Sequence, residues 1–214
     1  MDKKSIRVNH YDIFEVIDRF AIEKIRHCSI LDEWMSATDK LSSFEAELCE
    51  KARTELELKW DEWNEEELKM NFIGLILFAA YLDVPKKIRT FYERKLTGKV
   101  NDILISVTID CMIASPMNSG RPKSPYFFLQ EFKRSLGDNH DPEGQMLAAM
   151  ILAQELNQDN KPLYGCWIQG KNWYFTVLNG KDYCVSTQFD ATKSDDLLQI
   201  VYILRKLKEL ILAR

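Results

Sequence analysis

The stretch Tyr126-Phe-Phe-Leu-Gln-Glu-Phe-Lys133 decides the fold. A strand with one wet face alternates polar and apolar residues. This one is apolar on both faces until its end, so it belongs in the middle of a sheet. Just beyond it, Asp141-Pro-Glu143 supplies a capping side chain, a proline at the first helical position and an acid in the first turn. A helix therefore starts there and runs to about Leu156, and Asn157 to Pro162 ends it. Leu163 to Gln169 is the next strand, and strand–helix–strand implies a parallel crossover pair.

Working backwards, Ile88–Leu96 and Val100–Ala114 are β-rich runs joined by Thr97-Gly98-Lys99, where a hairpin turn is expected. Asn118-Ser-Gly120, between prolines at 116 and 122, marks a loop over residues 115–124. Working forwards, Gly170-Lys171 and Asn179-Gly180 are hairpin turns between short strands, and an amphipathic helix spans about Thr192 to Ala213. Upstream of Pro85 the period is helical: over residues 10–27, over residues 40–60, and from about Asn64 to Leu82. The expected architecture is α/β, a mixed central sheet flanked by helices. A helical N-terminal extension covers residues 1–63, and residues 64–214 form the main unit.

The chain has 214 residues, 46% hydrophobic and 29% charged, with 8 Gly and 6 Pro. That composition excludes wholesale disorder and collagen-like repetition. The longest apolar run, Phe72 to Leu82, is about half of the ~20 residues a membrane helix needs. Met1-Asp-Lys-Lys4 leads into a polar segment without an apolar signal core. The expectation is a cytoplasmic protein with no membrane partner. The five cysteines are scattered, with no CxxC and no histidine at ligand spacing, so reduced thiols are expected rather than a zinc site or a disulfide framework. Cys166 has no histidine near it in sequence to make it a nucleophile, and no glycine-rich phosphate loop is present.

Charge is segregated. Residues 86–134 hold ten basic and four acidic side chains, net +6, inside a chain of net charge −4. A basic middle in an acidic chain fits a polyanion-binding face, with Arg89, Lys95, Lys123 and Arg134 as candidate phosphate contacts. A solvated surface is the other reading of the same residues. Trp167, Trp173, Tyr174 and Phe175 read as core, with base stacking as the alternative.

Chemistry is concentrated where the central strand ends. Glu131 and Lys133 share one side of it and Phe132 takes the other. Asp110, on the strand before, is again a lone carboxylate among apolar residues, in Val107-Thr-Ile-Asp-Cys-Met-Ile113. Burying an acid and a lysine at the end of an apolar strand is expensive unless they act on something. Two carboxylates on neighbouring strands are an oxygen set suited to Mg²⁺.

Asp110, a variable loop and then Glu131-Phe-Lys133 resemble the D…(D/E)xK signature of the PD-(D/E)XK nuclease superfamily. The resemblance covers roughly residues 64–170, including the helix–strand–strand–strand–helix–strand order of that restriction-endonuclease-like core. Ile109 stands where the family motif usually has proline. The resemblance implies a nuclease that hydrolyses phosphodiester bonds, more readily of DNA, with Mg²⁺ or Mn²⁺ held by Asp110, Glu131 and the Phe132 carbonyl. It implies that Lys133 orients the attacking water and stabilises developing charge. It implies further roles for Gln145 on the following helix and for Glu65 on the first, with Glu66 the close competitor of Glu65. An inactive nuclease-fold binding or protein-interaction module is the rival reading, in which Glu131 and Lys133 are a simple ion pair. Neither reading excludes a homodimer.

Overall fold

The computed structural model describes residues 11–133 and 141–214. Eight strands form one mixed sheet, and helices cover both of its faces. The chain enters through helix α1 (Ile13–Phe20), capped by the Asp12 carboxylate on the Phe14 and Glu15 N–H groups. The helix expected over residues 10–27 ends early. Ala21 adopts a left-handed conformation (φ 50°), and Glu23–Lys24 becomes strand β1. Helices α2 (Ser29–Met35) and α3 (Ser43–Lys59) follow, then α4 (Glu65–Leu68), a π-helical turn over Lys69–Ile73, and α5 (Gly74–Ala80). Strands β2 (Arg89–Val100), β3 (Ile103–Pro116) and β4 (Pro122–Lys133) come next. Helix α6 (Pro142–Asn157) leads to β5 (Leu163–Gln169), β6 (Asn172–Asn179), β7 (Asp182–Val185), β8 (Phe189–Asp190) and α7 (Ser194–Leu212).

The strand order is β1-β7-β6-β5-β4-β3-β2, with β8 also paired to β6. The Tyr126–Lys133 stretch lies between β3 and β5, as its apolar faces require, and β4 and β5 run parallel through the α6 crossover. The helix–strand–strand–strand–helix–strand order of a restriction-endonuclease-like core is thus present from α4 to β5. One core layer packs α2, α3, α5 and α7 against the sheet through residues such as Trp34, Phe72, Phe128 and Phe132. The other packs α1 and α6 against the opposite face through Phe20, Leu147, Leu152 and Leu129. Trp167, Trp173 and Phe175 are buried, and Trp167 stacks on Tyr174 at 4.8 Å between ring centroids. The reading as core holds for Trp173 and Phe175, whereas Tyr174 is only half-buried and pairs with Trp167 outside the two core layers. No described helix is long and apolar enough to cross a membrane.

Two turns fall elsewhere than expected. Thr97-Gly98-Lys99 lies inside β2, and the chain reverses at Asn101-Asp102, both with positive φ (49° and 64°). Asn and Asp tolerate that conformation in a two-residue hairpin. Gly98 answers a packing demand instead: a Cβ there would lie 2.8 Å from the Leu152 side chain of α6. The second later turn likewise falls at Gly180-Lys181, one residue beyond the expected pair.

Candidate active site

Strands β3 and β4 pair only as far as Cys111–Gln130, after two shifts of register between Ile113 and Ser115. The next pair would be Asp110 and Glu131, and there the ladder stops. The Phe132 N–H, left without a partner in β3, donates instead to the Asp110 carboxylate at 2.8 Å. A side chain thus replaces a main-chain acceptor, which fixes Asp110 beside the last residues of β4. The β2–β3 ladder skips a pair at the same level, opposite Asp110, where Glu93 has φ 50°. Side-chain alternation slips in both strands at this point. Ile105, Val107 and Ile109 face the α6 layer, but beyond Asp110 the residues facing that layer are Met112 and Ala114. The slip turns Asp110 and Glu93 together towards the helix that carries Lys69.

That helix start is built to present its acids. Asn64 and Glu67 form a capping box, the Glu67 N–H donating to Asn64 at 2.9 Å and the Asn64 N–H to Glu67 at 2.8 Å. With Glu67 committed there, Glu65 points to the sheet and Glu66 stays exposed. The Lys69 ammonium lies 2.9 Å from Glu65, 3.0 Å from Glu93 and 3.2 Å from Asp110, and 5.8 Å from the centre of the Phe132 ring. Lys69 opens the π-helical turn, closed by the Gly74 N–H on its carbonyl; such turns recur at functional sites. On the other side, the Lys133 ammonium donates to Glu131 at 2.7 Å and to the Phe132 carbonyl at 2.9 Å, and lies 3.7 Å from Glu65.

Four carboxylates, Glu65, Glu93, Asp110 and Glu131, therefore surround two ammonium groups, with Asp110, Glu131 and Lys133 buried. Burial and the neighbouring Asp110 push Glu131 up to about 8, although Lys133 partly offsets them. Burial also raises Asp110, against the pull of the Phe132 N–H and the two lysines. For Lys133 burial acts downwards, but Glu131, Asp110 and Glu65 outweigh it and keep its pKa above the ordinary lysine value. Lys69 behaves the same way, with Glu65, Glu93 and Asp110 overcoming burial. Both lysines stay protonated at neutral pH, so each can donate and stabilise charge but neither can act as a base.

Glu65, Asp110, Glu131 and Lys133 are brought together, and the Phe132 carbonyl lies among them. Gln145 is half-buried near the start of α6, and among the described residues no side-chain hydrogen bond ties it to the niche. Arg89, Lys95 and Lys123 are exposed on β2 and β4; Arg134 lies outside the described residues. Lys69 and Glu93 belong to the niche and were missed by sequence reasoning. The Glu65/Lys69 spacing of four was legible as a helical ion pair. The slip that delivers Glu93 shows in the skipped Glu93–Asp110 pair and in its φ, not in any sequence motif.

The donor set is all oxygen, which suits a hard divalent cation such as Mg²⁺ or Mn²⁺. Among the described residues no three His, Cys, Asp or Glu side chains make a metal cage on their own. Two carboxylates and a carbonyl match an ion that keeps several waters. The two ammonium groups now supply the positive charge these ligands require.

No family model matches the chain, and no curated protein matches it. Among solved structures it is similar to a chain of a cryo-EM structure of the DrdV–DNA complex, with TM-score 0.42 and 12% identity. That similarity covers 77% of this chain and 14% of the other, so the chain spans a small fraction of the neighbour's length. A likeness of that size carries no weight for the site, which stands on its own geometry.

Proposed function

We propose that this protein is a divalent-metal-dependent nuclease of the PD-(D/E)XK kind, hydrolysing phosphodiester bonds of nucleic acid, DNA in the first instance. The observation that carries the reading is the opening of the β3–β4 ladder at Asp110 and Glu131. Supporting it, Asp110 and Glu131 are buried close to the Phe132 carbonyl, which accepts from the Lys133 ammonium at 2.9 Å. Asp110, Glu131 and the Phe132 carbonyl would hold the ion, which supplies Lewis acidity towards a phosphate oxygen and lowers the pKa of a water. Lys133, held protonated, would donate to the phosphoryl oxygens and offset the charge that grows there. Glu65, within reach of both lysines, would keep them oriented when the carboxylates turn to the ion.

The test is titration calorimetry with Mn²⁺ beside a cleavage assay on single-stranded and duplex DNA. Asp110→Ala and Glu131→Ala should each abolish ion binding and cleavage while the circular dichroism spectrum is kept. Unchanged Mn²⁺ affinity in both variants would reduce the niche to a structural ion-pair network and support the inactive-module reading.

A further inference from the structure

A groove runs beside the niche, between helix α5 and the antiparallel course of β2. Its near end is lined by Gly74, whose N–H donates to the Lys69 carbonyl, and by Arg94, the residue after Glu93; its far end is Tyr81 and Arg89. One stretch, of about 530 Å³, is lined by Leu77, Phe78, Tyr81, Tyr92 and Arg94 among others. It shares Tyr81, Asp83 and Arg89 with a second stretch of about 660 Å³ that reaches Lys86 and Met117. From Lys69 to Tyr81 the helix rises about 18 Å.

The groove combines aromatic rings with free cations. Phe78 is 64% exposed, Tyr81 69% and Tyr92 49%, although large rings are ordinarily the residues folding hides. Among the described residues, Lys86, Arg89 and Arg94 have no carboxylate partner, and all three are exposed. The two acids beside them are already engaged. Asp83 accepts from the Thr90 N–H and hydroxyl, both at 2.7 Å, and Glu93 holds Lys69. Tyr81 adds an independent sign. It caps α5 in the left-handed conformation (φ 49°), a position glycine fills without strain, and the Lys208 ammonium lies 5.4 Å from its ring centre. A bulky ring is therefore kept where the backbone favours none, steadied by a cation, and largely open to solvent.

We propose that this groove guides a single unpaired DNA strand into the carboxylate niche. Its bases would stack on Tyr81, Phe78 and Tyr92, and its phosphates would meet Arg89, Arg94 and Lys86. Rings and cations alternating along one channel are what single-strand binding needs, since stacking requires faces that a duplex keeps for itself. The choice of DNA, and the delivery of a scissile bond, rest on the nuclease reading; the groove's affinity for an unpaired strand does not.

The test is fluorescence anisotropy of the full chain with a labelled oligo-dT and a blunt duplex of equal length, in EDTA so that nothing is cut. The oligo-dT should bind about tenfold more tightly than the duplex. Tyr81→Gly relieves the left-handed strain, and circular dichroism and Tm of each variant separate lost affinity from lost fold; it and Phe78→Ala should each weaken oligo-dT binding about tenfold. Equal or tighter duplex binding, or unchanged affinity in both ring variants, overturns the proposal. Tighter binding of oligo-U than of oligo-dT overturns its choice of DNA. Asp110→Ala separates the two readings: it should abolish Mn²⁺ binding and leave oligo-dT affinity within about threefold. If Mn²⁺ binding survives that change while the ring variants still release oligo-dT, the nuclease reading falls and the single-strand groove stands.

Discussion

Replacing Glu131 by glutamine should stabilise the protein, increasingly so as the pH rises. Glu131 is 2% exposed, its folded-state pKa is raised to about 8 from an ordinary 4.5, and burial beside Asp110 is the reason. Between those two values the folded protein keeps a proton that the unfolded chain has shed. The folded state then binds more protons, so rising pH drains stability through that window, and the full penalty is present above about pH 8. The span corresponds to an upper bound of roughly 5 kcal/mol. Relaxation and water entry lower such penalties, and about 2 kcal/mol is the working figure. For a chain of this size that raises Tm by about 4–8 °C. Gln retains an oxygen for the Lys133 ammonium, now 2.7 Å from Glu131, so the hydrogen bond survives and only the charge goes. Asp110, also raised, affects both proteins alike and cancels in the difference.

The measurement is thermal unfolding followed by circular dichroism from pH 4.5 to 9. The two melting curves should coincide near pH 4.5, separate steadily and level off above about pH 8. Mn²⁺ added at pH 8 should raise Tm of the parent and leave Glu131→Gln where it is, since only an ion held by the folded state stabilises it. A gap that is flat across pH, or a variant less stable than the parent at pH 9, would refute the reasoning. Glu131 and Lys133 would then be an ion pair whose attraction exceeds the cost of burying it.

Lys69→Met removes the ammonium that neutralises Glu65, Glu93 and Asp110, so it should tighten Mn²⁺ binding about tenfold by calorimetry and lower Tm without metal at pH 8; weaker Mn²⁺ binding would mean that Lys69 organises the ligands rather than competing for them. Neutralising Arg89, Lys95 and Lys123 together should weaken DNA binding for every sequence alike and flatten the log–log salt dependence, by close to one unit of slope for each phosphate no longer neutralised; an unaltered slope would leave them as a solvated face. Gly144→Ala should destabilise by about 2 kcal/mol or more in chemical denaturation, because the new Cβ would collide with the Tyr11 carbonyl and lie 2.7 Å from the Ile13 nitrogen where α1 docks on α6; an unchanged midpoint would show that this docking is loose.

What the sequence revealed and what it hid divide along a physical line. Periodicity and capping are local, so β4 as a central strand, the Asp141-Pro142 helix start and the parallel β4–β5 crossover were all legible. Glycine has two uses that look alike in sequence, a positive φ or room for a neighbour, and at Gly98 the neighbour is Leu152, far along the chain. The site divides in the same way. Asp110, Glu131 and Lys133 stood out because charge inside an apolar strand violates the local pattern, whereas Lys69 and Glu93 sit among polar neighbours and violate nothing. Their role comes from a slip shared by two paired strands; it leaves the pairing register on either side unchanged, and in β3 it is masked because Cys111 to Ala114 are apolar towards both faces. The groove was hidden for the opposite reason. Phe78 and Tyr81 lie in the most apolar stretch of the chain, where every ring is expected to be buried, and only the structure separates the rings that fill the core from those that face solvent beside free cations. The aromatic cluster at residues 167–175 tempted a stacking role by its density, yet Trp173 and Phe175 pack the interior and Trp167 stacks on Tyr174. The rings available to a ligand are instead those on the walls of the groove between α5 and β2. A binding surface is set by which apolar residues the fold fails to cover, and that is a property of the tertiary arrangement.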